Sequence, residues 1–339
     1  MRLRVTRGAG LELEGAPFSI DAGRIQPLGI VSHAHTDHAA RHKKIICTPE
    51  TALLLGQRWQ TLSIRALPYK QTMTHEGYRI TLYPAGHILG SAMILVEHKG
   101  ARILYTGDFR TAKGPLLPGA RPVHCDILVT EATFGRPEYK FPALGRVTKM
   151  IRAFVDAARA SGNTPVLTGY ATGKAQELVA ILGDYRETIW VHPKIAATCD
   201  IYRKAGIELP DVKVPSAGAP KGSLVVMPPN FARTEWREQL IRPRVCFCSG
   251  WAVDGRAGGW YKCDQMLPLS DHADCESLVK FALASGAETI YTTHGFQSEL
   301  AELLRAEGIN AAPVPAEFSD PPTLDSVEFT ADTLDLFSR

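Results

Sequence analysis

Three histidines and an aspartate fall within six consecutive positions, His33-Ala34-His35-Thr36-Asp37-His38, just after the apolar run Leu28-Gly29-Ile30-Val31. An imidazole is largely uncharged at neutral pH and offers a nitrogen lone pair, while a carboxylate offers charged oxygens. Together they suit Zn²⁺, Mn²⁺ or Fe²⁺. No single regular element turns four neighbouring residues toward one point, so the cluster needs a loop at a strand end. The bland alternative is a polar turn that happens to hold histidines. The His-x-His-x-Asp-His spacing after a strand argues against it.

The same device recurs along the chain. Arg79–Tyr83 reads as a strand that delivers His87 on the glycine-flanked loop Pro84–Ser91. Met93–Glu97 and Arg102–Tyr105 read as a hairpin turning at Lys99-Gly100 and leading to Asp108. Ile127–Thr130 ends at Glu131, and Thr289–Thr293 ends at His294. His33, His35, Asp37, His38, His87, Asp108 and His294 are too many donors for one tetrahedral ion and about right for two. Two neighbouring ions can stabilise the attacking and leaving oxygens of a displacement. Closed structural zinc sites favour cysteine, which these loops do not supply.

The chain must be large enough to hold such loops rigidly. Its 339 residues, 45% hydrophobic and 22% charged, fit one large globular domain or two ordinary ones. No apolar run approaches the roughly 18–20 residues of a membrane helix, so no membrane association is expected. Met1–Arg7 lacks the apolar block of a secretory signal. The 7 cysteines are an odd number without Cys-x-x-Cys spacing, which suits a reducing cytoplasm. Cys246 and Cys248 fall on one face of a strand and read as core thiols.

Around the strand-end loops the pattern is mostly β, with Leu11–Glu14 and Lys44–Cys47 as strands and a helix from Thr48-Pro49-Glu50 to about Gln60. It then changes. Helices over Arg146–Ala160, Lys174–Leu182 and Lys194–Ala205 alternate with strands at Val166–Thr168, Thr188–Val191, Leu224–Met227 and Val245–Cys248. That alternation predicts a parallel sheet covered by helices. Val253–Gly259 reads as an exit linker, after which helices over Cys275–Leu283 and Gln297–Glu307 and a strand near Val327–Phe329 close the chain. Charge follows the same division. The span Lys140–Lys262 holds 18 Lys and Arg against 10 Asp and Glu, whereas the C-terminal tail carries Glu317, Asp320, Asp325, Glu328, Asp332 and Asp335. A positive segment beside a metal site suits an anionic polymer.

The motifs together resemble a known family. His33-x-His35-x-Asp37-His38, Asp21 upstream, His87 in Gly-His-Ile-Leu-Gly-Ser and Asp108 in Tyr-Thr-Gly-Asp-Phe resemble the metallo-β-lactamase fold. Glu131 in Thr-Glu-Ala-Thr-Phe-Gly, His272 in Ser-Asp-His-Ala-Asp and His294 in Thr-His-Gly resemble motifs A, B and C of its β-CASP branch. That branch cleaves nucleic acid and carries an inserted domain. The resemblance spans nearly the whole chain. Its length and Ser249-Gly250-Trp251 are most similar to the bacterial ligase-associated DNA exonucleases.

The resemblance implies an α/β fold, a metallo-β-lactamase αββα sandwich over residues 1–139 and 263–339, with an inserted α/β β-CASP domain over 140–262. It implies two divalent ions, Zn or Mn, one on His33, His35, His87 and Asp108, the other on Asp37, His38, His294 and the shared Asp108. Asp21 and Glu131 would orient ligand imidazoles through their other ring nitrogen. His272 would contact the scissile phosphate or protonate the leaving oxygen, so that Asp37, Glu131 and His272 carry catalysis. The implied activity is a phosphodiesterase degrading DNA from an end, 5′→3′, in DNA repair, with a functional link to a DNA ligase. A β-CASP ribonuclease is the alternative, because His294 stands where the eukaryotic DNA-acting members lack histidine. A small-molecule metallo-hydrolase is the third reading, and it needs no basic insert.

Other features carry less. Gly169-Tyr170-Ala171-Thr172-Gly173-Lys174 has the look of a phosphate loop, but one residue is missing between the glycines and Ala175 stands where Ser or Thr would hold Mg²⁺. Lys174 at a helix start, and the Ser249-Gly250 turn after a strand, are instead expected to grip substrate phosphate, against the plain reading of a tight βα turn. Trp251 and Trp260 read as packing between domains, with base stacking as the alternative. His42, His75, His98, His124 and His192 read as surface or satisfied histidines.

Overall fold

The computed structural model describes residues 2–6, 10–216, 218–230, 237–255 and 262–318. The expected strand near Val327–Phe329, Trp260, most of the glycine-rich linker and all of the acidic tail except Glu317 lie outside the described residues.

The described residues form a mixed α/β structure with three sheets. The first runs β1 (Leu3–Thr6), β2 (Gly10–Leu13), β3 (Ser19–Ile20), β4 (Gly29–Ile30), β5 (Ile45–Cys47) and, after helix α1 (Pro49–Arg58), β6 (Ile64–Ala66), in sequence order. Its first two pairings are antiparallel and the rest parallel. Helix α1 begins where the Thr48 hydroxyl accepts from the Thr51 amide, with Pro49 in the first turn.

The second sheet opens as an antiparallel meander of β7 (Thr72–His75), β8 (Tyr78–Pro84), β9 (Ala92–His98) and β10 (Ala101–Tyr105). The β9–β10 turn is Lys99-Gly100, both with positive φ (49° and 83°), the primed geometry that matches strand twist. Strand β11 (Ile127–Ala132) then lies parallel to β10.

Here the chain leaves for a third sheet. It comprises helix α2 (Leu144–Ala160), β12 (Thr164–Thr168), α3 (Lys174–Leu182), β13 (Ile189–Val191), α4 (Pro193–Lys204), β14 (Val212–Lys213), β15 (Leu224–Met227), β16 (Pro243–Cys248) and β17 (Gln265–Leu267). All its pairings are parallel, in the order β14-β13-β15-β12-β16-β17. The alternation of short apolar runs with helical periods foretells this sheet, which nevertheless continues to Leu267, past residue 262. The chain returns through α5 (Cys275–Ala284), β18 (Thr289–Gly295), α6 (Gln297–Ala306) and β19 (Asn310–Pro313), with β18 seated between β11 and β19.

The first two sheets share one core, in which Leu11, Ile20, Ile30 and Ile46 meet Ile80, Ile94, Ile103 and Val129. The other face of the second sheet packs on α5 and α6 through Leu95, Leu104, Leu128, Phe281 and Leu300. The parallel sheet has a separate core built on Ile151, Leu167, Leu178, Ile195 and Val226. Cys246 and Cys248 are buried in it with sulfurs 4.0 Å apart, as core thiols.

Candidate metal centre

The loops that follow β4, β8 and β10 and the C-terminal ends of β11 and β18 bring the candidate donors together. His33, His35, His87 and Asp108 each present a donor atom there, all within 4.8 Å of one another. One Asp108 oxygen stands 3.6 Å from His33 Nε2, 3.5 Å from His38 Nε2 and 3.8 Å from His87 Nε2. His35 Nδ1 lies 3.1 Å from both His33 Nε2 and His87 Nε2.

The partners on the outer side of each ring assign its tautomer. Asp21 accepts the Ser32 amide (2.7 Å), the Ser32 hydroxyl (2.5 Å) and His38 Nδ1 (2.8 Å). Because the Ser32 proton goes to that carboxylate, Ser32 Oγ accepts from His33 Nδ1 at 2.9 Å. His35 Nε2 donates to the Thr172 carbonyl (3.2 Å), and His87 Nδ1 donates to the Asp271 carbonyl (3.1 Å). In the neutral rings, the inward nitrogens of His33, His35 and His87 are therefore bare lone pairs. Lone pairs 3.1 Å apart repel and form no hydrogen bond with one another. The donor set fits a divalent cation.

Electrostatics agree with that fit. Burial pushes the His33 and His35 imidazoles down, and His87 down to about 3, so these rings stay neutral. Burial acts to raise the Asp108 carboxyl, but His38, His272, His33 and His87 hold it well below the usual carboxylate range. His38 differs. Burial pulls it down, yet Asp108, Asp21 and Asp37 together push it up to about 10.

The other expected donors gather more loosely. Asp37 is exposed, with an oxygen 3.7 Å from His38 Nε2. His294 is exposed and its ring stacks on His38 at 5.1 Å. Its φ of 56° is left-handed, uncommon for a residue with a Cβ and a strain that gathers at functional positions. Among the described residues, no group of three donors within 4.8 Å includes Asp37 or His294.

Two of the expected residues have partners that the sequence reading did not name. Glu131 does not hold a ring of the compact donor group. Its carboxylate oxygens lie 3.0 and 2.9 Å from His272 Nδ1, and it also accepts from the Phe109 amide (2.7 Å) and the Thr133 hydroxyl. Lys174, expected to grip substrate phosphate, has an acidic partner. It is 2% exposed, and its ammonium lies 2.8 Å from Asp271. The chain's fold brings a buried carboxylate to it from the return segment, which no local pattern around Lys174 could announce.

A cleft of about 520 Å³ lies over the donors, lined by His272, Arg58, Tyr170, Ser249, Gly250 and Trp251 among others. Ser249 caps the short turn Gly250–Ala252, accepting from the Trp251 amide. Trp251 packs against Phe134 (4.7 Å) and Tyr139 (5.6 Å). Gly250 permits this closeness, since a Cβ there would lie 2.5 Å from the Phe134 ring. His42, read as satisfied, is buried and accepts the Gln26 amide on Nδ1, but its Nε2 finds no partner. Ser32, Asp271 and Arg58 escaped the sequence reading. Ser32 and Asp271 are neighbours of motif histidines, which is the signal that could have found them.

No family profile matches the chain. A protein named probable DNA ligase from Opitutus terrae is 36% identical over 305 residues, which cover 89% of this chain and 30% of that protein. An RNase J-like protein of Methanocaldococcus jannaschii is 32% identical over 181 residues, 46% of this chain and 43% of the relative. Cleavage and polyadenylation specificity factor subunit 3 of Dictyostelium discoideum is 36% identical over 124 residues, 36% of this chain and 16% of the relative. The chain thus spans less than half the length of each of these relatives. A solved structure of a protein of unknown function from Enterococcus faecalis shares the fold, with a TM-score of 0.58 at 14% identity, covering 86% of this chain and 80% of that one.

In its strand-end donors, its motif order and these relatives, the chain is similar to the β-CASP branch of the metallo-β-lactamase family.

Proposed function

We propose that this chain is a metal-dependent phosphodiesterase that degrades DNA from an end, 5′→3′, in a repair setting and alongside a DNA ligase. The observation that carries the reading is the convergence of the His33, His35 and His87 lone pairs with Asp108, each ring fixed from outside. His33, His35, His87 and Asp108 would hold one ion, and Asp37, His38, His294 and Asp108 the other, as Zn²⁺ or Mn²⁺. When bound, such ions supply Lewis-acid activation of water and of the phosphodiester. The chain's own residues do the rest. Asp21 and Ser32 orient His38 and His33, while Glu131 orients His272 and keeps it charged. His272 gives a proton to the leaving oxygen. Arg58 and the Ser249-Gly250 turn face the cleft and are the groups placed to meet substrate phosphate.

The fold assigned to this activity is a metallo-β-lactamase sandwich with an inserted β-CASP domain. Its support is that β11 and β18 are direct neighbours while the chain between them builds a separate parallel sheet. We place the insert's second boundary a few residues beyond 262, because β17 belongs to that sheet. The working compartment is the cytoplasm, consistent with 7 cysteines that are all free. Among the described residues no helix is long and apolar enough to cross a membrane.

A ribonuclease is the second reading, favoured by His294 and by the RNA-related names of shorter matches. The deciding experiment compares matched DNA and RNA oligonucleotides, linear and circular, with and without a 5′-phosphate. Selective loss of linear 5′-phosphorylated DNA is expected. Preferential loss of RNA would transfer the assignment to the ribonuclease, and equal cutting of circles would make it an endonuclease. Hydrolysis of a thioester or lactam with no effect on either polymer would establish a small-molecule hydrolase.

A further inference from the structure

The loop Gly169–Gly173 and helix α3 belong to the parallel sheet, yet they reach the donors built on the other two. The Thr172 carbonyl takes the outer nitrogen of His35. Lys174 Nζ lies 2.8 Å from Asp271 Oδ1, and the Asp271 carbonyl takes the outer nitrogen of His87. One turn along α3, Glu177 accepts from Arg110 at 2.7 Å, two residues beyond Asp108. Arg110 in turn donates to the Ser270 carbonyl at 3.1 Å. Lys174, Glu177, Arg110 and Asp271 are all buried. Gly173, at φ 94°, sits so close to Ile88, the neighbour of His87, that a Cβ would lie 2.3 Å from the Ile88 side chain.

We propose that the Thr172–Glu177 segment is a positioning element for the metal centre, so that the parallel-sheet part of the chain sets metal affinity as well as covering the cleft. The inference rests on reading the donor cluster as a metal centre. Two of the three histidines in the compact group have their outer nitrogens held on this side, His35 directly and His87 through Asp271. Outer partners of this kind fix the tautomer and the ring direction, and losing one typically weakens metal binding by roughly 10–100-fold. Lys174 acts through Asp271. A buried carboxylate left without its cation loses the contact that fixes it, and its movement disturbs the 270–272 backbone that holds His87. Glu177 acts through Arg110 on the segment that carries Asp108. The glycine loop thus has a use unrelated to nucleotide binding, and the absence of a Ser or Thr after Lys174 follows naturally.

The test measures Mn²⁺ binding by the resonance signal of free Mn²⁺ during titration of the full chain, comparing wild type with Lys174→Met and Glu177→Gln. Unfolding is followed in parallel with chelator present, to establish that each variant folds without metal. The expected result is stoichiometric binding by the wild type and affinity weaker by roughly 10–100-fold in folded Lys174→Met. Unchanged affinity in folded Lys174→Met overturns the proposal. Should that variant not fold, Glu177→Gln, which keeps the side-chain shape, decides on the same criterion. A wild type that binds no Mn²⁺ or Zn²⁺ overturns instead the underlying reading of a metal centre.

Discussion

Glu131 faces His272 Nδ1 with both carboxylate oxygens, at 3.0 and 2.9 Å. The carboxylate is fixed in turn by the Phe109 amide and the Thr133 hydroxyl. It comes from the end of β11, the imidazole from the segment before α5, and they are 141 residues apart in sequence. Nδ1 is thereby occupied as a donor, and Nε2 is the nitrogen left for the cleft. Burial lowers the imidazole, but Glu131, Asp108 and Asp271 outweigh it and push His272 up to about 9.

A raised value means that the charged form persists to higher pH. Activity that needs a proton from His272 should therefore hold through neutrality and fall near pH 9. Glu131→Gln removes the largest raising charge, so the alkaline limb should move down toward the ordinary histidine range of about 6.5. The pH dependence of kcat in the two proteins checks this. An alkaline limb that stays in place would separate His272 from the proton transfer.

Truncating the acid should spare the ions. His272→Ala is expected to keep near-normal metal content while losing on the order of 10²–10⁴ in rate, the usual worth of a positioned acid or base. Metal analysis beside single-turnover rates measures both. Loss of metal in this variant would make His272 a ligand.

Asp108 puts one oxygen between 3.5 and 3.8 Å from three imidazole nitrogens. Asp108→Asn should abolish activity and lower metal content at both positions, whereas His294→Ala, at the open edge, should weaken chiefly one. Stoichiometry from elemental analysis distinguishes them. Full metal and full rate in Asp108→Asn would be fatal to the ligand assignment.

Metal binding should also be visible as stability. An ion that binds only the folded chain, at a free concentration about 100 times its Kd, adds about 2.7 kcal/mol per site. Chelation should lower Tm accordingly, and restoring Mn²⁺ or Zn²⁺ should bring it back. Identical melting with and without chelator would be the contrary result.

Gly250→Ala should cost about 1–3 kcal/mol, as overpacking does, because the added methyl would meet the Phe134 ring. Phe134 lies edge-on to His272 at 5.8 Å, so activity should drop as well. Denaturant midpoints and rates together test this, and a neutral effect on both would show that the aromatic cluster yields easily.

The donors were legible in the sequence because each follows an apolar run that can only be a strand, and strand ends in such sheets point the same way. His33, His35, His87 and Asp108 needed no tertiary knowledge to be named. The partners that fix them did. Ser32 is an ordinary residue between a strand and a histidine until Asp21 takes its proton. Lys174 reads locally as a cation at a helix start, and only the return of the chain at Asp271 buries it. The strands missed, such as Thr72–His75 and Gln265–Leu267, are short and partly exposed, so their pattern carries little apolar signal. The helices were placed to within about two residues because Thr48-Pro49, Gly173 and Asp274 mark their starts.

The pairing of β11 with β18 brings Glu131 beside Thr293, although roughly 160 residues of chain separate the two strands. Closing an unstructured loop of that length costs on the order of 4–5 kcal/mol in chain entropy before any contact repays it. A parallel sheet formed first, on its own local contacts, would bring the two ends closer and lower that cost. The segment that carries His33, His35, His87 and Asp108 precedes β18, so a nascent chain has made these four residues before β18 can pair with β11.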